Sequence, residues 1–326
     1  MPRNIITRIS AIPPTQRQSM IQLGVTLAIT LFGFLSTMLF SHLLGEDLMG
    51  VYYLFLAYYG VFNMIGDAGF GGAAVKRISE GKDQNEYLTA YAVLRFLLII
   101  VSTLILLAIS PYFVDLKQYD LIPWIIAALA AAFFGNTITY GVYGLGHVGI
   151  RNLATGVNEF VRILIQIVAV LLGYSLAGLF GGFIIAIIIS GIFCIKYFTF
   201  RPARFTADHL RSLITYSFWA FLIGSGSLIF SYADTIFIGY FMDNGDVGVY
   251  RVALQLTTAG TFLTAAIAGT LTPKFSSWSA KGDLTQIPGI LTKSITYGLL
   301  LAVPTAAGGI LLSDRLLYFF YGAEFA

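Results

Sequence analysis

"EDLMGVY", Glu46 to Tyr52, returns in altered form as "GDVGVY", Gly245 to Tyr250. Each phrase follows one long apolar run and opens another. Laying residues 50–79 over 248–277 pairs Gly50, Val51 and Tyr52 with Gly248, Val249 and Tyr250. It also pairs Leu56, Ala68, Gly71, Lys76 and Ser79 with Leu254, Ala266, Gly269, Lys274 and Ser277. Shared apolar composition explains some of these matches. The glycine and polar matches carry more weight. The chain therefore reads as two related halves, offset by roughly 200 residues.

The halves belong in a membrane. Of the 326 residues, 57% are hydrophobic and 11% charged, and mean hydropathy is +0.82. A soluble domain carries about 25% charged residues, so this chain lacks the charge to cover a water-facing surface. A span needs about 20 apolar residues. Nine runs qualify: 20–44, 49–69, 87–110, 119–145, 151–173, 175–199, 212–241, 246–272 and 289–312. Their length and uniform apolarity predict α-helices, because a lipid-facing backbone must satisfy its own hydrogen bonds. The first run is too long for a signal peptide, and no small-residue cleavage pattern follows it.

Lysine and arginine set the expected orientation. Arg3, Arg8 and Arg17 precede the first span. Basic residues recur in every second loop: Lys76, Arg77 and Lys82; Arg151; Lys196, Arg201, Arg204 and Arg211; Lys274 and Lys281. The intervening loops hold Glu46, Asp47, Asp115, Lys117, Asp120, Asp243 and Asp246. This alternation places the N-terminus in the cytoplasm and both quoted phrases outside. Six spans separate the phrases, so both copies run the same way. Parallel repeats of this kind are related by an axis along the membrane normal, a transporter architecture. The expected layout is a cytoplasmic tail at 1–19, a lobe of six helices at 20–199, a cytoplasmic inter-lobe loop at 200–211, and three helices of a second lobe at 212–326.

Catalytic and metal chemistry is not in view. Cys194 is the single cysteine, and His42, His147 and His209 lack ligand spacing. "GLGHVG", Gly144 to Gly149, joins two spans and lacks the strand-to-helix context of a nucleotide loop. No nucleic-acid partner is expected. Charges within spans are the informative residues. Arg162 lies eleven residues into the fifth span, about 16 Å deep. Glu159 is one turn earlier. Two readings stand: a cationic cavity for a lipid phosphate, or a self-neutralising pair packed between helices. Arg95 either lines that cavity or reaches the membrane surface. Arg251, a turn inside its span, has the same two readings. Asp67 belongs to the "GDAGFGG" turn. Gly178, Gly181, Gly182, Gly224 and Gly226 permit close helix approach, and Pro304 permits a kink.

"SHLLGEDLMGVYYLFLAYYGVFNMIGDAGFGGAAVKRISEG" (Ser41 to Gly81) resembles the first helix pair of the polysaccharide and oligosaccharide flippases. These belong to the multidrug/oligosaccharidyl-lipid/polysaccharide exporter superfamily. "YADTIFIGYFMDNGDVGVYRVA" (Tyr232 to Ala253) resembles that family's seventh-to-eighth helix junction, and "YGAEFA" (Tyr321 to Ala326) the phrase after its ninth. The resemblance implies an all-α polytopic membrane protein with two six-helix lobes and alternating access. The second lobe here looks truncated, or the chain is a fragment. The implied activity is export of a lipid-linked oligosaccharide or polysaccharide precursor, with polyprenyl-linked oligosaccharide as substrate, membrane lipids as surroundings, and a polymerase or glycosyltransferases as partners. Residence in the cytoplasmic membrane follows. No cofactor is implied beyond Na+ or H+ coupling, for which Asp234 matches an acidic position common in the family; a partner for a lobe-interface arginine or a structural role are its other readings. Arg95 and Arg162 favour an anionic substrate over the drug/cation antiport of the same superfamily. Outside the transporter class stand a membrane-embedded glycosyl or phosphoglycosyl transferase, for whose catalytic groups the loops are short, and a non-transporting scaffold of a polysaccharide synthesis complex.

Overall fold

The computed structural model describes residues 14–257, 271, 275, 278 and 286–326, with side chains considered from residue 28 onward, those of 286 and 301 excepted. The described elements are helical: α1 (Pro14–Asp67), α2 (Phe70–Ser79), α3 (Gln84–Ile109), α4 (Val114–Gln118), α5 (Leu121–Gly144), α6 (Val148–Leu171), α7 (Ser175–Ile195), α8 (Ala207–Phe241), α9 (described over 244–257) and α10 (Gln286–Tyr321). Short 3-10 turns cover Ser110–Tyr112 and Ala323–Phe325.

Among the described residues, seven helices are long and apolar enough to cross a membrane. The first holds two of the expected spans. As a straight rod, the 54 residues of α1 would reach about 80 Å, far beyond a hydrocarbon core of about 30 Å. Gly45, at φ 79° and ψ 175°, breaks the rod. A residue with a Cβ is strained there, so the break falls between the first and second expected spans. The expected span 246–272 runs beyond residue 257, outside the described residues, as do Lys274 and Lys281 of the loop after it. The remaining helices match the expected spans to within several residues, except that α10 extends to Tyr321.

The described chain forms two compact units: Met1–His42 with Val249–Ala326, and Leu43–Gly248. In the first, Phe34 packs edge-on against Phe320 at 5.2 Å and Tyr321 at 6.1 Å. Tyr321 and Phe325 are buried there.

The second unit contains the first quoted phrase and the second as far as Gly248, and there they touch. A Cβ built on Gly50 would overlap the carbonyl of Asn244, four residues before Gly248. One built on Gly248 would overlap the carbonyl of Glu46, four residues before Gly50. The same atoms would lie 3.1 Å and 3.2 Å from the opposite glycine's backbone nitrogen. This reciprocity is what a local two-fold axis between the matched glycines requires.

Two segments of this unit differ from the loop reading of the sequence. Residues 70–79 form a helix because Phe70, Ala73, Ala74 and Ile78 repeat on one face. That face packs with Leu88, Ala90, Tyr91 and Leu213. Gly69, at φ 78°, lets the backbone pass the Ser217 carbonyl and Phe221 nitrogen, where a Cβ would lie at 2.6 Å and 2.7 Å. The expected inter-lobe loop lies inside the unit and is strapped down. Arg201 N donates to Asn85 Oδ1 at 3.0 Å, and Ala203 N to Thr89 Oγ1 at 3.1 Å. Phe198, Phe200 and Phe205 pack on the α2–α3 core. A capping box of Thr206 and His209 then starts α8.

Of the five glycines expected at close approaches, Gly178 and Gly182 make them, against Ala169 and Gln166 of α6. Gly181, Gly224 and Gly226 meet nothing within 4 Å among the described residues. Asp115 sits in α4, outside the spans, where burial pushes its carboxyl pKa up.

Candidate functional site

α6 has inverted amphipathicity. Leu153, Phe160, Leu164, Val168 and Leu171 are exposed. They form one stripe, as expected for a face turned to lipid. Arg151, Thr155, Asn158, Arg162 and Gln166 fall at intervals of three and four on the opposite side. Of this polar stripe, Gln166 is buried, Arg151, Asn158 and Arg162 are half-buried, and Thr155 is exposed. Gln166, 2% exposed, donates to Tyr52 Oη at 3.0 Å and to the Leu179 carbonyl at 2.7 Å. It thereby joins the stripe to the last residue of the opening phrase.

The stripe borders a polar cavity of about 240 Å³ among α1, α5, α6 and α7. Tyr59, Asn136, Tyr140, Arg151, Asn158 and Ser190 line it. Arg151 stacks its guanidinium over the Tyr143 ring at 5.1 Å. No carboxylate lines the cavity.

Sequence reasoning missed most of this lining. It read Arg151 as a loop cation and passed over the uncharged amides and phenols. The missed signal was the spacing of polar residues along α6, which continues past the Glu159–Arg162 pair in both directions.

The expected site residues have separate surroundings. Arg162 Nη2 donates to Glu159 Oε2, with side chains 24% and 28% exposed. The pairing read from the sequence is therefore present, with Arg162 in the polar stripe and Glu159 next to it. Arg95 neither lines a cavity nor reaches the surface, because its side chain is 0% exposed. Its Nη1 donates to Asp67 Oδ1 at 2.7 Å and to Tyr91 Oη at 2.6 Å. Its Nη2 donates to Asn63 Oδ1 and to the Ala132 carbonyl, both at 3.2 Å. Tyr91 Oη donates to the same Asp67 oxygen at 3.1 Å, and Asp67 Oδ2 accepts from Gly71 N at 3.2 Å. One guanidinium thus ties α1, α3 and α5 together, and its counter-ion holds the first turn of α2. Asp234 Oδ1 accepts from Thr235 N at 2.7 Å and Thr235 Oγ1 at 3.2 Å. Arg251 is half-buried in α9 and belongs to the other unit.

The family of polysaccharide biosynthesis proteins matches residues 17–279. The chain belongs to that family.

This polysaccharide biosynthesis protein is 29% identical over 303 residues to the probable low-salt glycan biosynthesis flippase Agl15 of Haloferax volcanii, covering 90% of this chain and 62% of that one. It is 26% identical over 308 residues to the probable flippase AglR of the same organism, covering 92% and 63%. The chain therefore spans less than two thirds of the length of either relative. Among solved structures, the lipid II flippase MurJ in an inward closed conformation superposes with a TM-score of 0.71 at 14% identity, covering 93% of this chain and 67% of that one. An inward-facing multidrug resistance MATE transporter of the MOP superfamily gives 0.63 at 17% identity, covering 93% and 77%. The fold of this polysaccharide biosynthesis protein is that of MOP-superfamily transporters, and it is a multi-pass membrane protein.

Proposed function

We propose that the chain is the working part of a flippase that moves a lipid-linked oligosaccharide or polysaccharide precursor between leaflets by alternating access. The inverted amphipathicity of α6 carries this reading. A polar stripe with two arginines, turned away from lipid, gives a charged headgroup somewhere to go while its tail stays in the bilayer. Taking a phosphate out of water costs several kcal/mol unless charge and hydrogen bonds replace its hydration. Arg151 and Arg162 supply cationic groups, and Asn158 and Thr155 supply neutral ones. Arg95, enclosed and paired with Asp67, holds the helices around this stripe in this reading.

The two Haloferax relatives are named as flippases, which supports the same class. The N-terminus faces the cytoplasm in this reading, and the basic loops lie on that side. Outward movement of an anion is then assisted by an inside-negative potential, by about 2.3 kcal/mol per charge per 100 mV. Asp234 is the candidate for Na+ or H+ coupling.

The test is a leaflet assay on the full-length protein in vesicles holding a polyprenyl-linked oligosaccharide. Accessibility of the sugar to an impermeant oxidant should grow in protein-containing vesicles only. Uptake of a cationic dye driven by a Na+ gradient, without glycan movement, would instead select the antiporter. Neither activity, with enzyme partners recovered on the purified protein, would select the scaffold.

A further inference from the structure

We infer that the cavity among α1, α5, α6 and α7 is a binding site for a single hydroxyl-rich ring that carries one anionic group. Only the assignment of that ring to the translocated glycan rests on the flippase reading. The site itself is argued from its walls.

Size comes first. Water occupies about 30 Å³ per molecule in the liquid, so about 240 Å³ holds roughly eight waters. That suits one pyranose ring. Its hydrogen-bonding capacity comes second. Asn136 and Asn158 each offer two donors and an acceptor. Their side-chain amides make no hydrogen bond among the described residues. Thr139, Thr155 and Ser190 donate to carbonyls of their own helices, at 3.2, 3.2 and 3.0 Å. Their remaining lone pairs accept. A wall that both donates and accepts, several times over, fits a polyol. It does not fit an apolar ligand.

Charge comes third. Arg151 lines the cavity, and among the described residues it forms no ion pair. With no carboxylate in the lining, the cavity is net cationic and disfavours cationic drugs. The cation calls for a carboxylate or a phosphate on the ring. Tyr59 and Phe183, edge-to-face at 4.9 Å, add an aromatic wall for the ring's C–H face.

The experiment uses Thr155→Cys in a Cys194→Ala background of the full-length protein. A small thiol reagent is added with glucuronate, glucose 1-phosphate, glucose or inorganic phosphate as the probe. Glucuronate and glucose 1-phosphate should both protect the cysteine, and glucose should protect it more weakly. Arg151→Gln should weaken protection by the two anionic sugars at least about tenfold, as expected for a lost hydrogen bond to a charged group. It should leave protection by glucose unchanged, and Arg151→Lys should restore part of the loss. Protection by glucose 1-phosphate alone among the sugars assigns the anion to a phosphate. Protection by glucuronate alone assigns it to a ring carboxylate. Protection by inorganic phosphate as strong as by the sugars, or by no probe at all, overturns the inference. So does protection that survives Asn136→Ala, Asn158→Ala and Arg151→Gln together. Loss of protection with intact glycan movement refutes the pocket and spares the flippase. Protection without glycan movement does the reverse.

Discussion

Arg95 and Arg151 belong to the same unit of the molecule and have opposite surroundings. Arg95 is wholly enclosed and donates four hydrogen bonds, to two side chains on α1 and α3, an asparagine on α1 and a carbonyl on α5. Arg151 is half-buried at the start of α6, stacked on one ring and turned to a cavity. A guanidinium inside a membrane protein is costly, by at least about 2.5–3.5 kcal/mol near a helix centre on insertion scales. Arg95 offsets that cost internally, so its charge serves the fold. Arg151 leaves its hydrogen-bonding capacity for something that arrives.

The largest expected effect tests the enclosed member. Arg95→Ala strands Asp67 beside Tyr91, and breaking a buried pair typically costs about 3–5 kcal/mol. Folded yield in detergent should collapse. Changing Arg95 and Asp67 together to leucine should recover part of it, because a packed apolar pair is often as stable as a buried ionic one. A melting temperature for Arg95→Ala within a degree or two of wild type would erase the contrast.

A steric lesion remote from both arginines comes next. Gly50→Ala or Gly248→Ala drives a methyl into a backbone carbonyl, and overpacking costs about 1–3 kcal/mol or more. Thermal unfolding should show either alanine to be worse than Gly181→Ala, whose methyl meets open space. Equal melting points for the three variants would mean that the crossing does not hold in solution.

Arg162 is the intermediate case. Arg162→Ala should lower glycan movement roughly tenfold with normal yield, if it loses a charge-assisted contact to the headgroup. Glu159→Ala should lower it less. Suppose both variants misfold and the double change restores folding and transport. Arg162 would then join Arg95 as a structural cation, leaving Arg151 alone in its class.

The smallest perturbation tests the frame in which both arginines are placed. Single cysteines at the exposed positions Asp243 and Arg204, without Cys194, should leave stability unchanged. In sealed cells an impermeant thiol reagent should label only the first. Labelling of only the second would invert the orientation and put Arg151 at the outer end of α6.

Helix positions and the alternation of basic and acidic loops were legible because they depend on runs of residues. The break at Gly45 was legible as well, lying where one apolar run stops and "EDLMGVY" begins. Arg95 was not. Counting 1.5 Å per residue gives depth along a helix, but not which neighbour stands at that depth; Ala132 O and Asn63 come from other helices. Arg151 was hidden for a different reason: near a helix end, a cation is counted toward topology. Asn136 and Asn158 carry no charge and barely alter hydropathy. The short helix α2 was obscured by its "KRISEG" end, although Phe70, Ala73, Ala74 and Ile78 were spaced for one. The strap at 201–203 was unreadable because backbone N–H groups make it, and every sequence has those.

The crossing of Gly50 and Gly248 has a genetic consequence. Many steric defects can be suppressed by trimming the residue opposite. Here the atoms opposite are the carbonyl oxygens of Asn244 and Glu46, which every amino acid carries. No substitution at 244 or 46 can make room. A selection for second-site revertants of Gly50→Ala should return true revertants, or changes that move a whole helix, and nothing at the point of contact.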